Sequence, residues 1–433
     1  MRRVVLVHGV MALVLAIPIG AQDVSVPMRL TLAEAIEIAE ARNSQYRAAQ
    51  SGLDIAEADR LEASARPNPA VSAEFENYPL FESSRPPFFE GQELTVRVDQ
   101  EIETAGRRRL RIESATAGLD IARAQIADAR RQLEVEVSRA YFELALAQAD
   151  REVANAALAE LERVIELSAA RVKVGEAPGA ELRRLQVERL RFVDDVFAAD
   201  LAARNARAAL LGLLGGADLQ QPLEAVDPLD AAPVRTAEGQ VIATAAGVSL
   251  APGDLQTLAV RSRPDLQAAQ TARDRSATET RRQRALRTPN VTVGGGYRRD
   301  FGTNAVVFGV TVPLPLFSSL NPGGVQRAEA EQRRADALAE AALRSVQVEL
   351  QQAVNAVQIN AERVAYIERE YLTNAQQSRD IVRASYELGA ADLIDFLDAQ
   401  RTYRETQRVR NRALHDLRIT LIELAAAIGT PVS

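Results

Sequence analysis

Apolar residues recur every seventh position over two long stretches of the chain. Leu119, Ile126, Leu133, Ala140, Ala147, Ala154 and Leu161 form one row, with Val137, Leu144, Leu158 and Ile165 beside it. The second stretch repeats this with Leu343, Leu350, Val357, Val364 and Tyr371, beside Val346, Ala353 and Ile367. Heptads kept up this long predict helices packed as coiled coils, and the many Ala at the seam let neighbours approach closely. At about 1.5 Å per residue, some 65 residues make a rod of roughly 100 Å. The rods are expected over about 107–174 and 324–388. Each ends in a tight turn with glycine at the exit, Val174-Gly175 and Leu388-Gly389, and a returning helix follows.

Ahead of each rod the period changes from seven to two. Val71, Ala73 and Phe75 alternate with Ser72, Glu74 and Glu76, and Leu94, Val96 and Val98 with Thr95, Arg97 and Asp99, predicting two strands within 70–101. Val291, Val293 and Tyr297, then Val306, Phe308, Val310 and Val312, predict a second pair within about 290–313. Asn77 to Gly91 reads as a long loop between strands; its counterpart, Arg298 to Thr303, is short. Upstream, Thr31 to Arg66 reads as one helix, opened by a Thr31/Glu34 capping box and stopped by Pro67 and Pro69. Leu133–Ala140 matches Val346–Ala353 at an offset of 213, and Gly175 matches Gly389 at 214. A repeat this long is a duplicated half-protein. Both halves, 22–215 and 255–433, read helix, two strands, long helix, helix. The segment 216–254, rich in Ala, Pro, Gly and Asp without clear period, reads as a connector.

Composition narrows the class. Met1-Arg-Arg, an apolar run from Val4 to Ile17 and a small residue at Ala21 predict a signal peptide over 1–21 and export. Beyond it nothing is long and apolar enough for a spanning helix, so entry into a membrane would have to be by strands. A net charge of -7 offers no global basic field for nucleic acid. Without the signal the chain keeps one histidine, His415, and has no cysteine; that set makes no ordinary zinc or copper site. No phosphate-binding glycine signature is present, and Gly294-Gly-Gly296, inside a strand, fits a bend or close packing. No enzyme site and no cofactor are expected.

The strands carry the main inference. Phe75, Tyr78, Phe81, Phe88, Phe89, Tyr297, Phe301, Phe308 and Phe317 cluster around them, as in the aromatic girdles of a membrane barrel. Four strands cannot close, and an open edge cannot sit in lipid. A membrane reading therefore requires copies: two give eight strands and three give twelve. A soluble β layer capping a coiled coil is the alternative on pattern alone.

The duplicated plan, over about 28–430, and the tip sequence Tyr386-Glu-Leu-Gly-Ala-Ala-Asp-Leu-Ile-Asp-Phe-Leu-Asp-Ala-Gln400 resemble the TolC-like outer-membrane efflux proteins. Gln100-Glu-Ile-Glu-Thr-Ala-Gly-Arg-Arg-Arg-Leu-Arg111 is similar to their heavy-metal, CzcC-like branch. The resemblance implies a mainly α fold with a small β part, forming an α-helical barrel and a transmembrane β-barrel completed by trimerisation. It implies a homotrimer in outer-membrane lipid, extending into the periplasm, that meets a periplasmic adaptor and an inner-membrane RND-type pump. Cargo would pass through it passively, metal ions or small toxic compounds on the branch resemblance. Asp395 and Asp398, three apart on one helix face, match the family's aperture residues, and Tyr386 matches a tyrosine that helps hold the closed state. Val174, Gly175, Leu388 and Gly389 match adaptor-contact tips, where plain helix-end chemistry also suits glycine. The first half departs, with Glu181 and Arg184 at the positions of the Asp pair. A duct for secreted polypeptides and a soluble periplasmic scaffold remain the alternative functions.

Overall fold

The computed structural model describes residues 26–77, 92–230, 232–236, 239–300, 302–314 and 321–431. The expected signal peptide, the long loop beyond Asn77, and Tyr78, Phe81, Phe88, Phe89, Phe301 and Phe317 lie outside them. The first half comprises β1 (Arg29–Leu30), α1 (Leu32–Arg42), α2 (Ser44–Ser64), β2 (Ala70–Glu76), β3 (Glu93–Ile102), α3 (Arg107–Val174) and α4 (Gly179–Leu213). After the short strands β4 (Glu224–Ala225), β5 (Val234–Arg235), β6 (Val241–Thr244) and β7 (Gly247–Val248), the second half repeats the plan. It has α5 (Pro252–Ser262), α6 (Pro264–Ala285), β8 (Val291–Asp300), β9 (Thr303–Thr311), α7 (Pro322–Tyr366), α8 (Thr373–Glu387) and α9 (Leu393–Ile428). A π-helical turn, Ile367–Leu372, joins α7 to α8.

The helix expected over Thr31 to Arg66 is two helices, because Asn43 ends one and starts the next. Its Oδ1 accepts from the amides of Gln45 and Tyr46 at 3.0 and 3.1 Å, and its Nδ2 donates to the Leu213 carbonyl at 3.1 Å. One side chain thus satisfies two orphan donors of α2 and one orphan acceptor of α4. The second half breaks at the same place, at Arg263-Pro264. There the buried Arg263 guanidinium pairs with Asp265 and Glu349 at 2.6 and 2.7 Å and donates to the Ala427 carbonyl. In both halves the returning helix ends in a glycine pressed on this break. A Cβ on Gly215 would lie 3.2 Å from the Arg42 carbonyl oxygen, and one on Gly429 would lie 2.9 Å from that of Ser262.

The rods pack along the expected rows: Leu133, Val137, Leu144, Ala147, Ala154 and Leu161 are buried on α3, and Val346, Leu350, Ala353, Val357, Val364 and Ile367 on the second rod. Tyr371 is the exception, 53% exposed. The π turn that contains it puts an extra residue into the helix and rotates Tyr371 off the row. The connector is not bare loop. β4 runs parallel to β1, β5–β6–β7 form a small antiparallel sheet, and Leu223, Val234, Ile242 and Ala243 are buried at the waist of the rods. The buried Tyr141 hydroxyl pins it, donating to the Leu30 carbonyl at 2.8 Å and accepting from the amides of Val226 and Asp227 at 3.0 Å. Two cores meet at this waist, and a third, around Leu161, Leu185, Phe192, Tyr386 and Phe396, fills the far tip. Each such side chain contributes about 1.5–3 kcal/mol by burial.

At the other end the strands form one antiparallel sheet ordered β2-β3-β8-β9. The β3–β8 pairing, Leu94↔Arg299 through Ile102↔Val291, joins the two halves. Alternation gives the sheet two unlike faces. Val71, Phe75, Val98, Tyr297, Val306, Phe308 and Val310 share one face and are all exposed, Phe308 by 84%. The other face carries the ion pairs Arg97–Asp99 at 3.1 Å and Arg298–Glu93 at 2.5 Å. Gly294, Gly296 and Gly309 serve this polar face. A Cβ on Gly294 would come 1.8 Å from Asp99 Oδ1, and one on Gly309 would come 2.8 Å from Arg97 Nη2. Arg97 and Asp99 thus lie flat over the neighbouring strands. Among the described residues the outer edges of β2 and β9 are unpaired.

Candidate functional site

Two helical turns form the tip of the rods. Gly175 and Gly389 have φ of 80° and 77°, a left-handed conformation that strains any residue with a Cβ. A Cβ at either would meet nothing within 4 Å, so backbone conformation and not space selects glycine. The Gly175 amide caps the Arg171 and Val172 carbonyls, and the Ala390 amide reaches the Ser385 carbonyl at 2.8 Å. Val174 and Leu388 stand exposed beside these glycines. Arg171 and Lys173 lie in the last turn of α3, where cations suit the helix dipole.

Tyr386 is 5% exposed and stacks on Phe396 at 5.2 Å between ring centroids. Its hydroxyl donates to Glu181 Oε1 at 2.6 Å. Glu181 opens α4, so this bond ties the tip of one half to that of the other. Arg171 reinforces it by donating to the carbonyls of Tyr386, at 3.3 Å, and Glu387. Burial, and then the facing Glu181 carboxylate, push the Tyr386 phenol above its ordinary value.

The structure does not gather Asp395 and Asp398 onto Tyr386. Phe396 and Leu397, between them in sequence, turn into the tip core, which leaves both carboxylates on the exposed side of the first turns of α9. Asp398 has Arg401 at 3.9 Å. Above them, arginines of α9 reach acidic residues of α4: Arg401 to Glu188 at 3.7 Å and Arg404 to Asp195 at 2.7 Å, with the Arg404 guanidinium over the Phe192 ring at 4.6 Å. In the sequence Glu181 stands out only as the counterpart of Asp395; its contact with Tyr386 depends on how the two tips meet. Arg171 carried no signal beyond being a cation at a helix end. Val174 and Gly175 end α3, Leu388 and Gly389 end α8, and Arg171 links the two turns through the Tyr386 and Glu387 carbonyls.

Among the described residues no cluster of three or more His, Cys, Asp or Glu could hold a metal ion, and no helix is long and apolar enough to cross a membrane. His415 sits between Glu143 at 3.3 Å and Asp416 at 3.2 Å. The sheet offers the other route into lipid. An exposed apolar patch of this kind marks a surface that something covers. Its pairing with a charged opposite face is the alternation of a barrel wall, lipid outside and water within.

Comparison with known proteins agrees with this geometry. The model of the family described as outer membrane efflux protein matches residues 35–216 and 255–430. The chain is similar to the cobalt-zinc-cadmium resistance protein CzcC of Cupriavidus metallidurans, 26% identical over 390 residues that span 89% of this chain and 86% of that one. Its fold is similar to that of the outer membrane protein VceC of Vibrio cholerae, with a TM-score of 0.73 and 23% identity over 92% of this chain and 96% of that chain. The open state of the MtrE outer membrane channel of Neisseria gonorrhoeae gives 0.72 and 21% over 92% and 89%. The chain belongs to the outer membrane efflux protein family, and it is the outer-membrane channel component of a tripartite efflux system, extending into the periplasm.

Proposed function

We propose that three copies of this chain close one pore, that its periplasmic tip is the gate, and that divalent metal cations are the cargo. Three copies supply twelve strands and remove the open β2 and β9 edges, which could not persist in lipid. Val174, Gly175, Leu388 and Gly389 present the apex to a periplasmic adaptor, and an RND-type inner-membrane pump supplies the energy. Asp395 and Asp398, exposed and repeated three times, ring the aperture and favour cations. The observation that carries the gate is the Tyr386–Glu181 hydrogen bond, which latches α8 to α4 across the two halves. Support for metal cargo is the likeness to a protein named for cobalt, zinc and cadmium resistance.

The deciding experiment deletes the gene and exposes cells to cobalt, zinc, cadmium, drugs and dyes, with secreted polypeptides assayed in parallel. Sensitivity confined to metals, and restored by the intact gene, is expected. Sensitivity to drugs alone, or loss of a secreted polypeptide with normal metal tolerance, overturns the cargo assignment.

A further inference from the structure

The second rod contains a turn that the first lacks. In an α-helix, residues five apart point about 140° away from each other. Tyr366 and Tyr371 are five apart, yet their rings meet edge-on at 5.4 Å between centroids. The π-helical turn Ile367–Leu372 makes this possible, because its repeat closes at the fifth residue. The turn is held on two sides. Glu368 pairs with Arg410 of α9 at 3.0 Å, and the Asn374 side chain takes the Glu370 carbonyl at 2.5 Å. The result is an aromatic pair, each ring about half exposed, on the flank of the rod opposite its packed seam.

The first half carries a matching surface. Phe197 and Leu201 of α4 are 69% and 60% exposed and one helical turn apart, away from the buried row Leu185, Phe192 and Ala199. Backbone packing across the wall runs α4, α3, α9 and α7–α8. Arginines of α9 also reach α4 at Glu188 and Asp195, and Tyr386 bonds Glu181 at the tip, while the flanks of α4 and of the π turn that bear Phe197 and Tyr371 stay exposed. Helices in a closed cylinder need neighbours on both flanks. The heights agree. Tyr371 lies eighteen residues before Gly389 and Phe197 eighteen after Gly179, each about 27 Å from the tip. Tyr366 and Leu201 lie about 34 and 33 Å from it by the same measure. The open edges of the sheet run in the same sense, β2 on the first half and β9 on the second.

We propose that the π turn builds an aromatic clasp between copies of this chain, with Tyr366 and Tyr371 of one subunit seated on Phe197 and Leu201 of the next. The proposal rests on the reading of a closed trimer and adds which surfaces meet and at what height. The chain has no cysteine, so introduced cysteines report unambiguously. The test oxidises detergent-extracted protein carrying Phe197→Cys with Tyr371→Cys and reads it on a non-reducing gel. Each single variant, and the height-mismatched pair Val187→Cys with Tyr366→Cys, serve as controls, and native mass is measured on every sample. The expected result is covalent dimers and trimers from the matched pair and monomers from all controls. A native trimer whose matched pair gives only monomers, or a bond within one chain, overturns the clasp while leaving the trimer intact. A native monomer removes both.

Discussion

At the scale of single residues, the tip separates the proposed latch from the proposed lining. Tyr386 of α8 is buried and bonded to Glu181, whereas Asp395 and Asp398 face outward on α9. Tyr386→Phe keeps the stack on Phe396 and loses the hydrogen bond, which is worth about 1.5–3 kcal/mol with a charged acceptor. We predict that it raises the open fraction in single-channel recordings; unchanged opening would remove the latch. The pH dependence has a definite sign. A phenol raised in the closed state contributes fully below its unfolded value, about 10, and that contribution is lost as pH rises through the folded value. The wild-type closed state should therefore hold to about pH 10 and loosen above it, and Tyr386→Phe should abolish that alkaline step in conductance. Asp395→Ala with Asp398→Ala should lower cation preference without changing the number of chains per channel. That Asp395 and Asp398 share one exposed helix face was legible from their spacing. The Tyr386–Glu181 bond was not, because no local pattern records which residues of two distant turns will touch.

At the scale of elements, periodicity described most of the rods and failed where one residue broke the count. Row members up to Ile367 are buried or partly buried, while Tyr371 is thrown outward by the π turn. The heptad runs through that point without a visible fault, since an inserted residue shows only as a phase shift. The first helix hid its break for a related reason. Asn43 divides it without Pro or Gly, and its capping bond to Leu213 comes from far along the chain. Asn43→Ala should cost about 1–2 kcal/mol through the lost cap, seen as a lower thermal midpoint; no change would mean the cap is redundant. The connector strands, two to four residues long, are too short to display a period. The sheet was the opposite case, because alternation alone gave both its strands and its two faces.

At the scale of the whole molecule, duplication explains the wall. Each half supplies two strands and one antiparallel pair of long helices, and the β3–β8 pairing joins them into a continuous sheet. The same break-and-glycine joint, at Asn43 with Gly215 and at Arg263 with Gly429, fixes the waist in both halves. The halves differ at the tip and in the π turn, where we propose gating and subunit contact. Sequence could give this plan because repeats and alternation are local regularities; closure depends on other copies of the chain and had to be inferred from open edges. The most direct test of the account records current across a planar lipid bilayer after adding purified protein. It predicts discrete, cation-preferring conductance steps that become longer-lived with Tyr386→Phe. An absence of steps from both proteins, with the sheet folded, would contradict it.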